Sequence, residues 1–203
     1  LLIDHSNDPL MQLLVNTTRQ VEVAGPALAD AHRAVGRCLA GPIAQALPLE
    51  SVEIQHVVGA SEGVGVRPGH EPIILAVMRA GLFVAEGIWS CVPAGALVPH
   101  QDGESLGSIP AQGRTVIVVD SVINTGRSIR RLLEMLRPAG AQSIVVSALV
   151  AYGPTLETLV AEYADVTFNI ARVSQRSYVG SGSTDTGARL FGTTTWAGEL
   201  GMV

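Results

Sequence analysis

Between Val116 and Ser128 the chain reads Val-Ile-Val-Val-Asp-Ser-Val-Ile-Asn-Thr-Gly-Arg-Ser. Branched apolar residues, one acid and then a glycine among hydroxyl and amide side chains can do a specific kind of chemistry. A buried strand running into a short turn and a helix delivers backbone N–H groups and a helix N-terminus to one point, where a phosphate is readily held. Gly126 allows the main chain close to an anion, and Thr125 and Ser128 can donate hydroxyls or cap the helix. Asp120, where the strand ends, stands where open α/β sheets place their ligands. An ordinary strand-to-helix turn capped by Thr or Ser has the same pattern.

No rival constellation competes with this run. His5, His32, His56, His70 and His100 are scattered without metal-ligand spacing and are expected at the surface. All thirteen basic residues are arginine, which excludes Schiff-base chemistry and a P-loop lysine.

The elements that must position the turn can be read from periodicity. Apolar residues recur at helical spacing from Asp8 to Leu47, with Pro26 suited to the first turn of a second helix. Gly59 to Glu71, rich in Gly and charge, reads as a loop. Strands are predicted at Ile73–Met78, Ala96–Pro99, Val116–Val119, Ile144–Val150 and Val166–Ile170. Helices are predicted at Leu82–Ser90, Arg127–Arg137 and Thr155–Tyr163. This alternation implies an α/β fold with a central, mostly parallel sheet flanked by helices. From Ser174 to Thr195 the sequence turns to Gly, Ser and Thr and reads as an irregular C-terminal hood (174–195) within one domain spanning 1–203.

Composition bounds the partners. With 203 residues, 47% hydrophobic and 15% charged, the chain can build a core, and its apolar runs are too short to cross a bilayer. A net charge of -5 gives no long-range attraction to nucleic acid or anionic lipid, so neither is expected as a partner. Cys38 and Cys91 lack metal or CxxC spacing and are expected as buried free thiols in a reducing cytoplasm.

The run ending in Thr125-Gly126-Arg127-Ser128 resembles the loop of type I phosphoribosyltransferases that binds 5-phosphoribosyl 1-diphosphate (PRPP). Its single acid is similar to the uracil branch, which carries Asp-Pro where this chain has Asp120-Ser121. The resemblance to uracil phosphoribosyltransferases continues elsewhere. Asn7-Asp8-Pro9-Leu10 and Thr18-Arg19-Gln20 echo the family's N-terminal helix, and Met78-Arg79-Ala80-Gly81-Leu82 resembles its Leu-Arg-Ala-Gly-Leu loop. His100-Gln101-Asp102-Gly103-Glu104-Ser105-Leu106 is similar to its flexible Tyr-Arg-Asp-Glu-Glu-Thr-Leu loop. Tyr178 to Arg189, ending in Leu190-Phe191-Gly192-Thr193, resembles its base-binding hood.

The resemblance implies transfer of a phosphoribosyl group from PRPP to a pyrimidine base, giving UMP and pyrophosphate where the base is uracil. Arg79, Asp120 and Asp185 are then the catalytic candidates, with Arg79 gripping the diphosphate and Asp120 the ribose hydroxyls. The PRPP contacts run through Gln101, Ser121, Val122, Ile123, Asn124, Thr125, Gly126, Arg127, Ser128 and Asp185, the turn from Asn124 to Ser128 taking the 5′-phosphate. Val179, Thr184, Asp185 and Thr186 are the base-binding candidates, and Asp185 serves Mg²⁺. The family also implies a cytoplasmic homodimer or higher homo-oligomer.

Several positions depart from the family. Gln101 replaces a charged Arg, Ser181 a Pro, Thr184 a Gly, Thr186 an Ala and Ala188 an Asp, and Arg127 stands for a small residue. Two further readings therefore stay open: the same reaction on a base other than uracil, or a sensor of PRPP or nucleotide with little turnover.

Overall fold

Five consecutive apolar residues without polar alternation need protein on both faces, and Ile73–Val77 is buried at every position. The computed structural model describes residues 1–92, 94–107 and 109–196. In chain order these form β1 (Leu2–Asp4), α1 (Pro9–Arg19), α2 (Gly25–Ala44), β2 (Leu49–His56), β3 (Gly59–Val66) and β4 (Ile73–Val77). There follow α3 (Leu82–Trp89), β5 (Ala96–His100), β6 (Thr115–Ile123), α4 (Arg127–Leu136), β7 (Ser143–Tyr152), α5 (Gly153–Glu162), β8 (Val166–Ser174), a 3₁₀ turn (Gly182–Thr184) and α6 (Thr186–Phe191).

Six strands make one parallel sheet in the order β1-β8-β7-β6-β4-β5. The expected doubly covered α/β architecture follows from residue parity. Ile73, Leu75, Val116 and Val118 face α4 and α5, meeting Ile129, Leu133 and Leu159. Their neighbours Ile74, Ala76, Ile117 and Val119 face the other way, onto Val15 of α1, Leu39 of α2 and Ile88 of α3.

Local signals fix the helical layer. Asp8 caps α1 by accepting from the amides of Leu10 (2.8 Å) and Met11 (3.2 Å), with Pro9 in the first turn. α2 and α3 cross at two glycines: a Cβ on Gly36 would strike the Val84 carbonyl, and one on Gly87 the Arg33 carbonyl. Without side chains there the backbones approach closely enough to seat α2 over the sheet.

The structure corrects several sequence expectations. Gly59 to Val66 is a strand, not a loop, paired antiparallel with β2 in a hairpin outside the main sheet. It lacks a buried face, so no apolar alternation announces it, and Gly63 and Gly65 leave room for the Ile54 and Val52 side chains. β1, three residues long and half-exposed, was too short to register and adds an edge strand before the expected start of the sheet. The hood contains a helix, α6, whose six residues are too few to show periodicity. His32 and His100 are buried, 2% and 4% exposed, rather than at the surface, whereas Cys91 is exposed and Cys38 only half-buried.

The α2–α3 crossing yields the first prediction. Gly36→Val places three carbons against backbone and should destabilise the protein by about 2 kcal/mol or more. Urea unfolding of variant and parent measures it, and an unchanged midpoint would contradict the close approach.

Candidate active site

β6 runs past the predicted boundary at Val119, through Asp120, to Ile123, because Asp120, Val122 and Ile123 still pair with Ala148, Val150 and Ala151 of β7. On its other side β4 stops pairing at Ala76–Val119. After β4 the chain goes outward to β5 and returns as β6, so the crevice between β4 and β6 is the switch point of the sheet, the customary ligand position in open α/β folds. Asp120 stands on one side of this crevice and the Arg79 turn, with its cis Met78–Arg79 peptide, on the other.

That turn is pressed against β6. A Cβ on Gly81 would collide with the carbonyl of Val119 and lie 2.6 Å from that of Val77 and 3.1 Å from the Asp120 Cα. Arg79 reaches across the crevice mouth to Asp185, 3.7 Å away, and its guanidinium lies over the Phe191 ring at 5.9 Å. Two of the three catalytic candidates thus form an ion pair between the turn and the hood, with the third on the strand between.

Beyond Ile123 the chain makes the predicted bend. Gly126 has φ +72°, a left-handed conformation that favours glycine, and a Cβ there would also crowd Thr155 and Leu159 of α5 at 3.0 and 3.1 Å. Among the described residues the amides of Asn124, Thr125 and Gly126 donate to no backbone acceptor. They open into a small cavity of about 110 Å³ lined by Asp120 and residues 122–129. Thr125 Oγ1 accepts a long bond from the Arg127 amide (3.4 Å), while the Arg127 side chain is exposed. Ser128 does not cap the helix; its hydroxyl donates to Asp102 Oδ2 at 3.1 Å. The flexible-loop carboxylate therefore stands at the turn, whereas Gln101 beside it is exposed and bonds through its backbone, its amide donating to Glu104 Oε2 and its carbonyl accepting from the Glu104 amide.

A partnership invisible in the sequence lies beneath Asp120. Ser121 is fully buried, and its hydroxyl faces His32 Nε2 at 3.1 Å while His32 Nδ1 faces the Leu28 carbonyl at 2.9 Å. With Nδ1 protonated, Nε2 accepts from Ser121. Burial, aided by the Arg189 charge and opposed by the Leu28 bond, lowers the His32 pKa to about 4. Asp120 is enclosed by protein except for its opening onto the site. Burial pushes its carboxyl up to about 6; the Val122 and Ser121 amides pull it back and the Asp102 charge adds a smaller upward push.

Under the hood lies a larger cavity of about 420 Å³, bounded by Ser121 and Val122 of β6, Leu149 and Val150 of β7, and Tyr178 and Thr186. Of the base-binding candidates only Thr186 lines it. Val179 is 79% exposed, and Thr184 forms a capping box with Ser181, its carbonyl taken by the Tyr178 hydroxyl. Asp185 caps α6 by accepting from Ala188 at 2.7 Å. Arg189 holds the hood down, donating to the carbonyls of Gln20 (2.7 Å) and Val23 (2.8 Å). Sequence reasoning missed that Arg19, Arg172, Arg176 and Arg189 meet in this cavity. Their only advance sign was the scarcity of acids near Arg172 and Arg176.

No group of three or more His, Cys, Asp or Glu residues able to hold a metal occurs among the described residues. Asp185 alone, paired with Arg79, fits an Mg²⁺ carried in on a diphosphate, since Mg²⁺ typically keeps several waters and binds through substrate phosphates plus one or two carboxylates.

This geometry has known counterparts. The family model for uracil phosphoribosyltransferase matches residues 5–193. A uracil phosphoribosyltransferase from Staphylococcus epidermidis is 29% identical over 207 residues, covering 95% of this chain and 97% of its own. One from Thermoanaerobacter sp. is 28% identical with the same coverage. The solved structure of an Aquifex aeolicus protein superposes with a TM-score of 0.78 at 19% identity, covering 94% of this chain and 98% of its own. One from Thermus thermophilus does so at 0.51 and 18%, covering 79% and 96%. The latter two show the shared fold.

Asp120 and His32 oppose each other in their effect on stability. The fold prefers Asp120 protonated, so its contribution is full below about 3.8 and lost as pH rises through about 6. The fold prefers His32 neutral, so its contribution is full above about 6.5 and lost as pH falls through about 4. Asp120→Asn removes the first effect. Its stability should climb with pH between 4 and 6.5 more steeply than the parent's, and at pH 7.5 it should exceed the parent by about 1–3 kcal/mol. Denaturant melts across this range test both signs; a variant less stable at neutral pH would refute the burial argument.

Proposed function

The chain belongs to the uracil phosphoribosyltransferase family and is a phosphoribosyltransferase, and from that premise we propose that it transfers the phosphoribosyl group of PRPP to a pyrimidine base, with uracil giving UMP and pyrophosphate. The observation that carries this reading is the phosphate turn: free amides at Asn124, Thr125 and Gly126, at the start of α4 and directly beyond Asp120.

A base nitrogen attacks C1 of the ribose, the C1–O bond to the diphosphate breaks, and its electron pair leaves with pyrophosphate while the nitrogen's proton passes to water. Little covalent chemistry falls to the protein, so its contribution is orientation and charge stabilisation. The turn amides and the Ser128 hydroxyl receive the 5′-phosphate, displacing the Asp102 carboxylate. Ionised Asp120 accepts from the ribose hydroxyls. Arg79, released from Asp185, contacts the diphosphate, whose departing charge it stabilises. Asp185 would hold the Mg²⁺ that accompanies the diphosphate, and that ion would supply further neutralisation of its charge. Ser121, Val122 and Ile123 form the strand floor that sets these distances, and Gln101 offers an uncharged contact.

Titration of the full chain with PRPP and Mg²⁺ should give saturable heat, and Asp120→Ala should weaken binding by about tenfold or more. Absence of PRPP affinity in the wild type, or unchanged affinity in Asp120→Ala, would reject the reading. Brisk UMP formation in a coupled assay would fix uracil as the base.

We further infer self-association through the β2–β3 hairpin. Val57 and Val58 at its tip are 95% and 88% exposed, with exposed Val64 and Leu49 on one face of the hairpin and exposed Ile54 on the other. Light scattering should find at least a dimer in the wild type and a shift toward monomer in Val57→Asp/Val58→Asp; a monomeric wild type would dismiss this arm as an interface.

A further inference from the structure

The cavity under the hood has a charge that the rest of the molecule does not predict. The chain is acidic overall, yet this cavity gathers four of its thirteen basic residues, Arg19, Arg172, Arg176 and Arg189, and no carboxylate. Of the nine others, Arg33, Arg67, Arg79, Arg114, Arg130 and Arg137 each have a carboxylate partner, while Arg37, Arg127 and Arg131 have none among the described residues. Among the described residues none of the four has one.

Arg172 is the most demanding of them. It lies on β8 opposite Val150, and its Nε is buried without a hydrogen-bond partner among the described residues. Arg19, whose side chain among the described residues bonds only to Asn16 Oδ1 at 3.5 Å, shares with it the wall between the hood cavity and a neighbouring one of about 270 Å³. Burial, with the Arg19 charge adding to it, lowers the Arg172 pKa. An unsatisfied guanidinium beside a like charge is costly, and an anion would relieve both costs at once.

PRPP does not account for these cations. Its 5′-phosphate has the separate cradle of residues 122–129, and its diphosphate has Arg79. The same cavity that holds the arginines also has Val122, Leu149 and the Tyr178 ring, surfaces suited to a planar heterocycle. One ligand can therefore present a ring to these walls and an anionic group to the arginines.

We propose that the acceptor base carries a carboxylate substituent, received by Arg172 together with Arg19. The proposal rests on the phosphoribosyl-transfer reading above and narrows its substrate class from pyrimidines in general to acidic pyrimidines. Arginine presents two parallel N–H groups matched to a carboxylate, which makes such a contact both tight and selective.

Calorimetric titration of the full chain with uracil, with 6-carboxyuracil (orotate) and with 5-carboxyuracil tests it. At least one carboxylated ring should bind about tenfold or more tightly than uracil, and raised salt should shrink the difference. Arg172→Leu should abolish the preference, with Arg19→Gln as a second variant should the first fail to fold. Uracil binding as tightly as both carboxylated rings, or an unchanged ratio in a folded variant, overturns the proposal. Inorganic phosphate titrated alone separates the sources of the anion: phosphate affinity lost in Arg172→Leu, with no preference among the bases, assigns the cavity to a separate phosphorylated ligand and likewise overturns it. A parallel PRPP titration of the wild type keeps the two levels apart. Absent PRPP affinity removes the phosphoribosyl reading itself, whereas retained PRPP affinity without carboxylate preference removes only this inference.

Discussion

Where β4 and β6 part, the main chain of Gly81 lies against Val119 and Asp120 with no space for a Cβ, and the site is arranged around that contact. It brings the Arg79 turn against the strand that carries Asp120 and starts α3 from the crevice itself. The second glycine pair, Gly36 with Gly87, then docks α2 on α3. Docked there, α2 sets His32 under Ser121. A chain of backbone contacts, rather than a network of side chains, therefore fixes the floor of the site, and backbone contacts are stiff because interiors are close-packed.

On that floor the protein keeps groups in states that the fold alone would not choose. Asp120 is ionised at neutral pH against the cost of burial, and Arg172 carries a guanidinium with an unpartnered Nε. Stability at these positions is exchanged for readiness to bind. The Ser121–His32 pair is different: neutral and satisfied, it closes the polar floor without adding charge.

Much of this was legible in the residues. Val116 to Val119 announced a strand buried on both faces, and Thr125-Gly126-Arg127-Ser128 announced a bend followed by a helix, because those signals are local. The hairpin escaped because Gly59 to Val66 has no buried face to impose alternation, and α6 because six residues span fewer than two turns. His32 and Ser121 are 89 positions apart, so only the docking of α2 reveals their bond. The convergence of Arg19, Arg172, Arg176 and Arg189 was hidden for the same reason: three elements and a hood segment must be assembled before their charges share one cavity. Where Thr184 replaces the family's glycine, its side chain closes a capping box with Ser181 and does not line the hood cavity.

The hood is latched by Arg189 to the carbonyls of Gln20 and Val23, and β1 at the other end of the chain finds its strand partner only in β8. During translation the Asp120 strand and the bend after it therefore emerge well before the hood that roofs the larger cavity. A nascent chain released short of residue 189 would keep the small cavity after Asp120 and leave an open, arginine-lined trough beside it. Emergence of the hood, not the folding of the central sheet, is thus the event that closes this cavity.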